Sequence, residues 1–355
     1  MKICLGYDYL TGLKTLTMRH LLSVFACLLS VCIHSQESFT FEHNGLTRNY
    51  LLTIPETLDS QTPLVFVLHG YGGNAQQMTA LGWQEISASN NVMICYPNGT
   101  TDLFGSPYWN SNVYTGDVAG IPEGADDHDF LVSLSNHIQS TYQLSSNCVF
   151  SCGFSNGGFM SLSLACHEPE HFKAVGSVGG LMSDYDYDNC TPTQSTPIIQ
   201  IHGTSDGTVN YYNGIGFPFW GSEGAESIMN LWEDIMGTTQ TMLELNYNNS
   251  SVDFIRKYMA ADDSEYHHYR VNGGGHIWFG TSVFMGQNSS EILWNFFNSY
   301  CDTSNSITTS FGDKPQKKTL LKKVDSLGRE VHHTTNQILF YIYDDGSVEK
   351  KFLVE

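Results

Sequence analysis

Cys148-Val-Phe-Ser-Cys-Gly-Phe-Ser-Asn-Gly-Gly-Phe-Met-Ser-Leu-Ser-Leu-Ala-Cys166 is the stretch whose reading decides the fold. Its opening residues, Cys148-Val-Phe-Ser-Cys, are the short apolar run of a strand buried on both faces. From Gly158 to Cys166 small and apolar residues continue as a helix packed close to its sheet. Between the two lies Gly153-Phe-Ser155-Asn-Gly157. A serine flanked by glycine two residues to either side, between a strand and a helix, sits on a sharp turn that presents its hydroxyl.

The same alternation extends outward in both directions. Residues 38–53 read as a hairpin around Asn44-Gly45. Pro63-Leu-Val-Phe-Val-Leu-His69 and Val92-Met-Ile-Cys-Tyr96 are apolar runs, with a helix expected from about Ala75 to Ser89 between them. Phe130, Leu131, Leu134, Ile138 and Tyr142 recur at helical spacing. Ala174–Val178 and Pro197–His202 supply two more strands, and residues 225–236 and 289–300 two more helices. Strands alternating with helices predict an α/β domain with a mostly parallel, doubly wound sheet over residues 36–303.

Charge separates this body from the C-terminal segment. Between Gln36 and Phe311 stand five basic residues against 28 acidic ones, a net of −23; from Gly312 to Glu355 the balance is +1. So acidic a surface repels phosphate backbones, which argues against a nucleic-acid partner. At the N-terminal end, Leu21–Ile33 is thirteen residues without a charge, preceded by Arg19 and His20. That length fits a secretory leader over residues 1–35, with Met18 as an alternative start, and falls short of a stable membrane span. Six cysteines remain outside the leader: Cys95, Cys148, Cys152, Cys166, Cys190 and Cys301. An even number in an exported chain permits up to three disulfides, whose pairing the spacing leaves open.

The G-x-S-x-G pattern occurs twice, the second time as Gly203-Thr-Ser205-Asp-Gly207. Ser205 is followed by Thr208-Val-Asn-Tyr-Tyr-Asn-Gly, a poor helix start, so Ser155 is the candidate nucleophile and Ser205 a turn residue. The order Ser…Asp…His then predicts Asp206, just after the 197–202 strand, as orienting acid. His276, in the flexible Gly273-Gly-Gly-His276-Ile-Trp278 loop, is the candidate base. Backbone N–H groups of Tyr71, in His69-Gly-Tyr-Gly-Gly73, and of Asn156 are the expected oxyanion donors. Trp109 and Trp278 are candidates to line the substrate pocket, with core packing the equal alternative. Asp184-Tyr-Asp-Tyr-Asp188 departs from a calcium loop at its sixth and twelfth positions and reads as a solvated acidic loop. The pairs His267-His268 and His332-His333 have no third ligand at helical spacing. No metal and no cofactor are expected.

Together His69-Gly-Tyr-Gly-Gly73, Gly153-Phe-Ser-Asn-Gly-Gly158, His202-Gly-Thr-Ser-Asp206 and Gly274-Gly-His276-x-Trp278 resemble the extracellular polyhydroxybutyrate-depolymerase-like esterases. These are α/β-hydrolases grouped with feruloyl and acetyl-xylan esterases. The resemblance spans about residues 40–300. It implies a cofactor-free serine esterase with Ser155, Asp206 and His276 as its triad and a neutral polyester or polysaccharide-linked ester as substrate. Asp126-Asp-His-Asp-Phe130 also resembles the family's acidic segment before a helix, with His128 in place of an apolar residue. Beyond a linker at 304–318, residues 319–355 carry Asp325-Ser-Leu-Gly-Arg-Glu330 and Phe340-Tyr-Ile-Tyr-Asp-Asp-Gly-Ser-Val-Glu-Lys-Lys351. They resemble the small C-terminal β modules that address proteins to the type IX secretion machinery, which implies secretion or attachment at the cell surface. A serine peptidase of the same fold and a non-catalytic binding module are the competing readings.

Overall fold

Five apolar runs, each of only five or six residues and so too short for a helix of ordinary length, form the centre of one sheet. The computed structural model describes residues 37–112, 124–214, 223–247, 250–259, 264–284, 286–301, 320–325, 328–331, 337–343 and 348–354. The leader, the 304–318 linker, His332-His333 and the 344–347 turn lie outside them. The strands are β1 (Glu37–His43), β2 (Leu46–Thr53), β3 (Leu64–Leu68), β4 (Met93–Pro97), β5 (Thr100–Thr101), β6 (Pro107–Tyr108), β7 (Val149–Phe154), β8 (Ala174–Val178), β9 (Ile198–Gly203), β10 (Thr238–Glu244), β11 (Val252–Met259), β12 (Glu265–Val271), β13 (Leu320–Asp325), β14 (Gln337–Tyr343) and β15 (Val348–Val354).

Thirteen of them make a single sheet in the order β1-β2-β4-β3-β7-β8-β9-β12-β11-β10-β15-β14-β13, while β5 and β6 pair as a separate hairpin. The block β4-β3-β7-β8-β9-β12 is parallel throughout. Antiparallel strands flank it on both sides. The C-terminal strands form the expected alternating pair and a third partner, and join the sheet through β15 against β10 rather than closing a sheet of their own. Strands β10 to β12 carry no sequence signal, because residues 238–271 mix charged, aromatic and Asn-rich stretches with no clean apolar run.

Alternate residues of the central strands feed two cores, one on each face. Leu64, Phe66 and Leu68 enter the first, with Phe130, Leu134, Ile138 and Trp232. Val65 and Val67 enter the second, with Trp83, Phe150, Leu293 and Phe297. The helices are α1 (Ala75–Met78), α2 (Trp83–Asn90), α3 (Asp127–Tyr142), α4 (Asn156–His167), α5 (Asp184–Asn189), α6 (Ala225–Met236) and α7 (Ser289–Asn298). The single helix expected over 75–89 is two, broken where Gly82 adopts φ 87°. Residues 184–188, expected as a loop, are the short helix α5, started by Ser183 Oγ accepting the Asp186 N–H at 3.1 Å. Among the described residues no cluster of potential metal ligands occurs, and no helix is long and apolar enough to cross a membrane.

Two disulfides close the body: Cys148–Cys301 joins the start of β7 to the segment after α7, and Cys166–Cys190 joins the ends of α4 and α5. Cys95 and Cys152 are free thiols buried in the sheet.

Candidate active site

Every loop that concerns the site leaves the carboxyl edge of the parallel block, where open α/β sheets bind ligands. Ser155 is held at φ 53°, ψ −119°, a conformation costing a non-glycine residue about 1–3 kcal/mol. The neighbourhood leaves no room for a gentler turn. A Cβ on Gly153 would collide with the Gly157 backbone, and one on Gly157 with the Leu68 carbonyl. The Ser155 N–H donates to Val178 O at 2.9 Å, tying the elbow to the end of β8. Burial of α4 on nearly every face against the sheet offsets the strain.

Asp206 and His276 come from the loops after β9 and β12, neighbours in the sheet. The loops are stitched together: Ser205 N–H donates to Gly274 O, and Gly273 N–H to Thr204 Oγ1, each at 2.9 Å. His276 Nδ1 lies 2.7 Å from Asp206 Oδ2. A carboxylate only accepts, so Nδ1 carries the proton and Nε2 keeps its lone pair. The His276 ring rests on Phe154, centroids 4.8 Å apart, and against Gly179, beside the elbow. Asp206 is buried, which pushes its carboxyl up. Bonds from His202, His276 and the Val209 N–H outweigh that and hold it well below the carboxylate range. Its Oδ1 accepts the Thr208 and Val209 N–H groups, both at 2.8 Å. The fixed anion therefore orients one imidazole tautomer.

The loop after β3 forms the other wall. Gly70 packs on the elbow so closely that a Cβ there would lie 3.3 Å from Ser155 Cβ. Gly73 N–H bonds Gly70 O at 2.9 Å and Gly72 N–H bonds Pro107 O at 2.8 Å, bending the loop around Tyr71. Asn156 opens α4, where a backbone N–H has no helical carbonyl to bond. His69 Nε2 accepts the Gly99 N–H at 3.0 Å and Nδ1 donates to Gly70 O at 2.8 Å. Burial lowers its pKa to about 4, so it is neutral near pH 7 and serves as a spacer between loops.

The two tryptophans part company. Trp109 has no exposed surface, which corrects its expected place in the pocket lining. Its backbone N–H donates to Asn156 Oδ1 at 2.6 Å, its carbonyl accepts Asn156 Nδ2 at 3.0 Å, and its indole N–H donates to His69 O at 3.0 Å. Trp278 is half-buried, donates to Ser290 Oγ at 3.2 Å, and borders a 570 Å³ cavity with Leu81, Gln84 and Glu85. Ser205 is exposed in its turn, apart from the elbow. His128, where an apolar residue was expected, is accommodated by a 2.8 Å bond between its Nε2 and Ser163 Oγ on α4.

Sequence reading missed three contributors. His202 shares its Nε2 proton between Val209 O at 2.9 Å and Asp206 Oδ2 at 3.4 Å, and it opens the His202-Gly-Thr-Ser-Asp206 motif. The Asn156 side chain does as much as its backbone. Arg48 and Asp127, 79 residues apart, form a buried ion pair at 2.7 Å beneath the loop after β4, and no local pattern signals it.

Residues 51–260 match the phospholipase/carboxylesterase family model. A probable feruloyl esterase C of Aspergillus clavatus is 27% identical over 58% of this chain and 74% of its own. A putative esterase, NocK, of Nocardia uniformis is 29% identical over 46% of each chain. The chain thus spans between about half and three quarters of the length of these two relatives. In structure, acetyl xylan esterase from Aspergillus awamori superposes with a TM-score of 0.53 at 16% identity, covering 74% of this chain and 99% of that one, a likeness of fold. With the family model spanning more than half of its length, over the Tyr71 loop, the elbow and Asp206, the chain belongs to the phospholipase/carboxylesterase family of α/β-hydrolases.

Proposed function

We propose that this protein is an exported serine carboxylic-ester hydrolase acting on feruloyl or acetyl esters of plant polysaccharide. Polyhydroxybutyrate-type polyester is the second substrate class. The observation that carries the reading is the 2.7 Å Asp206–His276 bond, with the imidazole tilted against Phe154 next to the strained Ser155.

In this reading His276 Nε2 takes the Ser155 proton as Oγ attacks the ester carbonyl. Asp206 stabilises the imidazolium, and the Tyr71 and Asn156 N–H groups receive the oxyanion. The imidazolium passes its proton to the departing alcohol. Water, deprotonated by the same Nε2, then frees the acid from the acyl-enzyme. No cofactor enters these steps. Trp278, two residues from His276, borders the alcohol side.

The apolar leader and the resemblance of residues 319–355 to sorting modules support export with the type IX machinery as partner. The test is hydrolysis of 4-nitrophenyl acetate, methyl ferulate, acetylated xylan and hydroxybutyrate oligomers by the protein beside its Ser155→Ala variant. Turnover lost in the variant is expected, and the best substrate separates plant-wall from polyester chemistry. Turnover equal in both proteins would remove the serine mechanism.

A further inference from the structure

The loop that carries Tyr71 draws little of its shape from its own side chains. Gly70, Gly72 and Gly73 stand around Tyr71, and Gly72 adopts φ 72°, a conformation that favours glycine. The segment 98–109 holds the loop instead. Asn98 Oδ1 accepts the Ala75 N–H at 2.8 Å, the Gly99 N–H bonds His69 Nε2 at 3.0 Å, and Pro107 O accepts the Gly72 N–H at 2.8 Å. Tyr71 is anchored to the same segment by its side chain, Oη donating to Asp102 Oδ2 at 2.6 Å.

The Asp102 carboxylate is set in place by its own hairpin. Asp102 follows β5; its N–H donates to Ser106 O at 2.9 Å and its carbonyl accepts the Gly105 N–H at 3.0 Å. Its Oδ1 accepts the Phe104 and Ser106 N–H groups, both at 2.9 Å. These bonds orient the carboxylate independently of Tyr71 and turn Oδ2 to the phenol. A 2.6 Å contact lies in the short range of O–H···O⁻ bonds, which are about twice as strong as neutral ones. The Tyr71 ring itself packs against the first core.

The backbone at Tyr71 is therefore pinned on both sides. Gly70 packs on Ser155, Gly72 is bonded to Pro107, and the Asp102 bond fixes the side chain that branches between them. An oxyanion donor works only when its direction is fixed before the charge develops. Losing one outright costs about 10²–10³ in kcat, and a misplacement of about 1 Å costs up to about 10². Formation and breakdown of an acyl-enzyme both pass through an oxyanion. A loosened donor slows both steps together, so kcat falls with little change in KM.

Resting on the serine-esterase reading above, we propose that Asp102 is a positioning residue for the oxyanion hole, acting through the Tyr71 hydroxyl. Three variants of the full chain test it. Asp102→Ala removes the acceptor, Tyr71→Phe removes only the hydroxyl and leaves the hairpin bonds intact, and Asp102→Asn keeps a polar partner for both. The readouts are kcat and KM for 4-nitrophenyl acetate and the Ki of n-butylboronic acid, whose tetrahedral serine adduct places an oxygen in the hole. Asp102→Ala and Tyr71→Phe should each lower kcat about tenfold, with KM within about twofold of wild type, and raise Ki by a similar factor. The double variant should also lose about tenfold, because both changes delete one bond, while Asp102→Asn should stay within about threefold of wild type. Wild-type kcat in Tyr71→Phe overturns the proposal. So does a loss of about a hundredfold in the double variant, or a fall in kcat with Ki unchanged, which would mark a general loosening of the fold. In each of these cases wild-type turnover leaves the esterase reading intact. A folded wild-type protein that turns over no ester overturns both.

Discussion

Asn156 grips the backbone of Trp109 through two hydrogen bonds, 2.6 Å to its N–H and 3.0 Å to its carbonyl, while the Trp109 indole reaches across to His69 O. Two buried side chains, the Asn156 amide and the Trp109 indole, thus tie the start of α4 to the loop after β3, the two segments expected to supply the oxyanion donors. Trp109→Phe removes the indole donor together with part of the buried ring, leaving the His69 carbonyl unpaired, at about 1–3 kcal/mol, beside a small cavity. The expected outcome is a lower melting temperature and a fall in kcat of about tenfold, the cost of roughly 1.4 kcal/mol in the transition state, with KM nearly unchanged. Steady-state kinetics on 4-nitrophenyl acetate check this; a rise in KM alone would return Trp109 to the substrate pocket.

Strain at Ser155 makes a second prediction. Glycine adopts φ 53° without a Cβ penalty, so Ser155→Gly should be inactive yet more stable than wild type by about 1 kcal/mol. Urea unfolding of the two proteins decides it, and a less stable variant would place the strain elsewhere.

Replacing Asp206 by Asn keeps shape but removes the charge and permits the wrong imidazole tautomer. Activity should fall by about 10⁴, as such a change does in serine hydrolases. The folded protein holds the Asp206 carboxyl below its unfolded value. Its contribution to stability is therefore present above the unfolded pKa of about 4 and lost as pH falls below it. Asp206→Asn should accordingly flatten the acid side of the stability profile below about pH 4, read from melting temperatures across a pH series.

Buried histidines impose an earlier acid sensitivity. His69 and His128 are lowered to about 4 and His268 to about 3, each mainly by burial. The unfolded chain takes up protons on these rings near pH 6.5, and the folded chain only below about 4. Stability should therefore decline as pH falls from about 6.5 towards 4. A flat unfolding free energy over that window would contradict their burial.

Cys148–Cys301 closes a loop of sequence separation 153. Changing both cysteines to serine should lower stability by about 3–5 kcal/mol, chiefly by freeing the unfolded chain. Cys95 and Cys152, whose thiols burial pushes up, should resist alkylation until the protein unfolds. Peptide mass spectrometry after iodoacetamide treatment distinguishes protected from modified sites.

Much of the architecture is a local matter and is legible in the chain itself. Strands β3, β4, β7, β8 and β9 are short apolar runs, because a strand covered on both faces needs no polar alternation. The elbow announces itself because only glycine fits where its backbone passes the neighbouring strand and helix, and those glycines lie within a few residues of Ser155. The order of Ser155, Asp206 and His276 along the chain follows the order of the strands that bear them.

What sequence alone leaves open depends on contacts between residues far apart in the chain. The cysteine pairing is undetermined there because any of the six residues satisfies the spacing until the strands bring particular Cα atoms within bridging distance. Trp109 reads as a pocket or a core residue because an indole suits both equally; its burial depends on Asn156 and His69, 47 and 40 residues away. The strands after α6 are hidden because their burial comes from neighbouring strands and their charges from cross-strand pairs such as Arg270–Asp253 at 2.8 Å. Local pattern determines which segments become strands and where the backbone must turn. Which side chains meet at the sheet edge is decided by packing, since burial and hydrogen-bond satisfaction are properties of the assembled sheet.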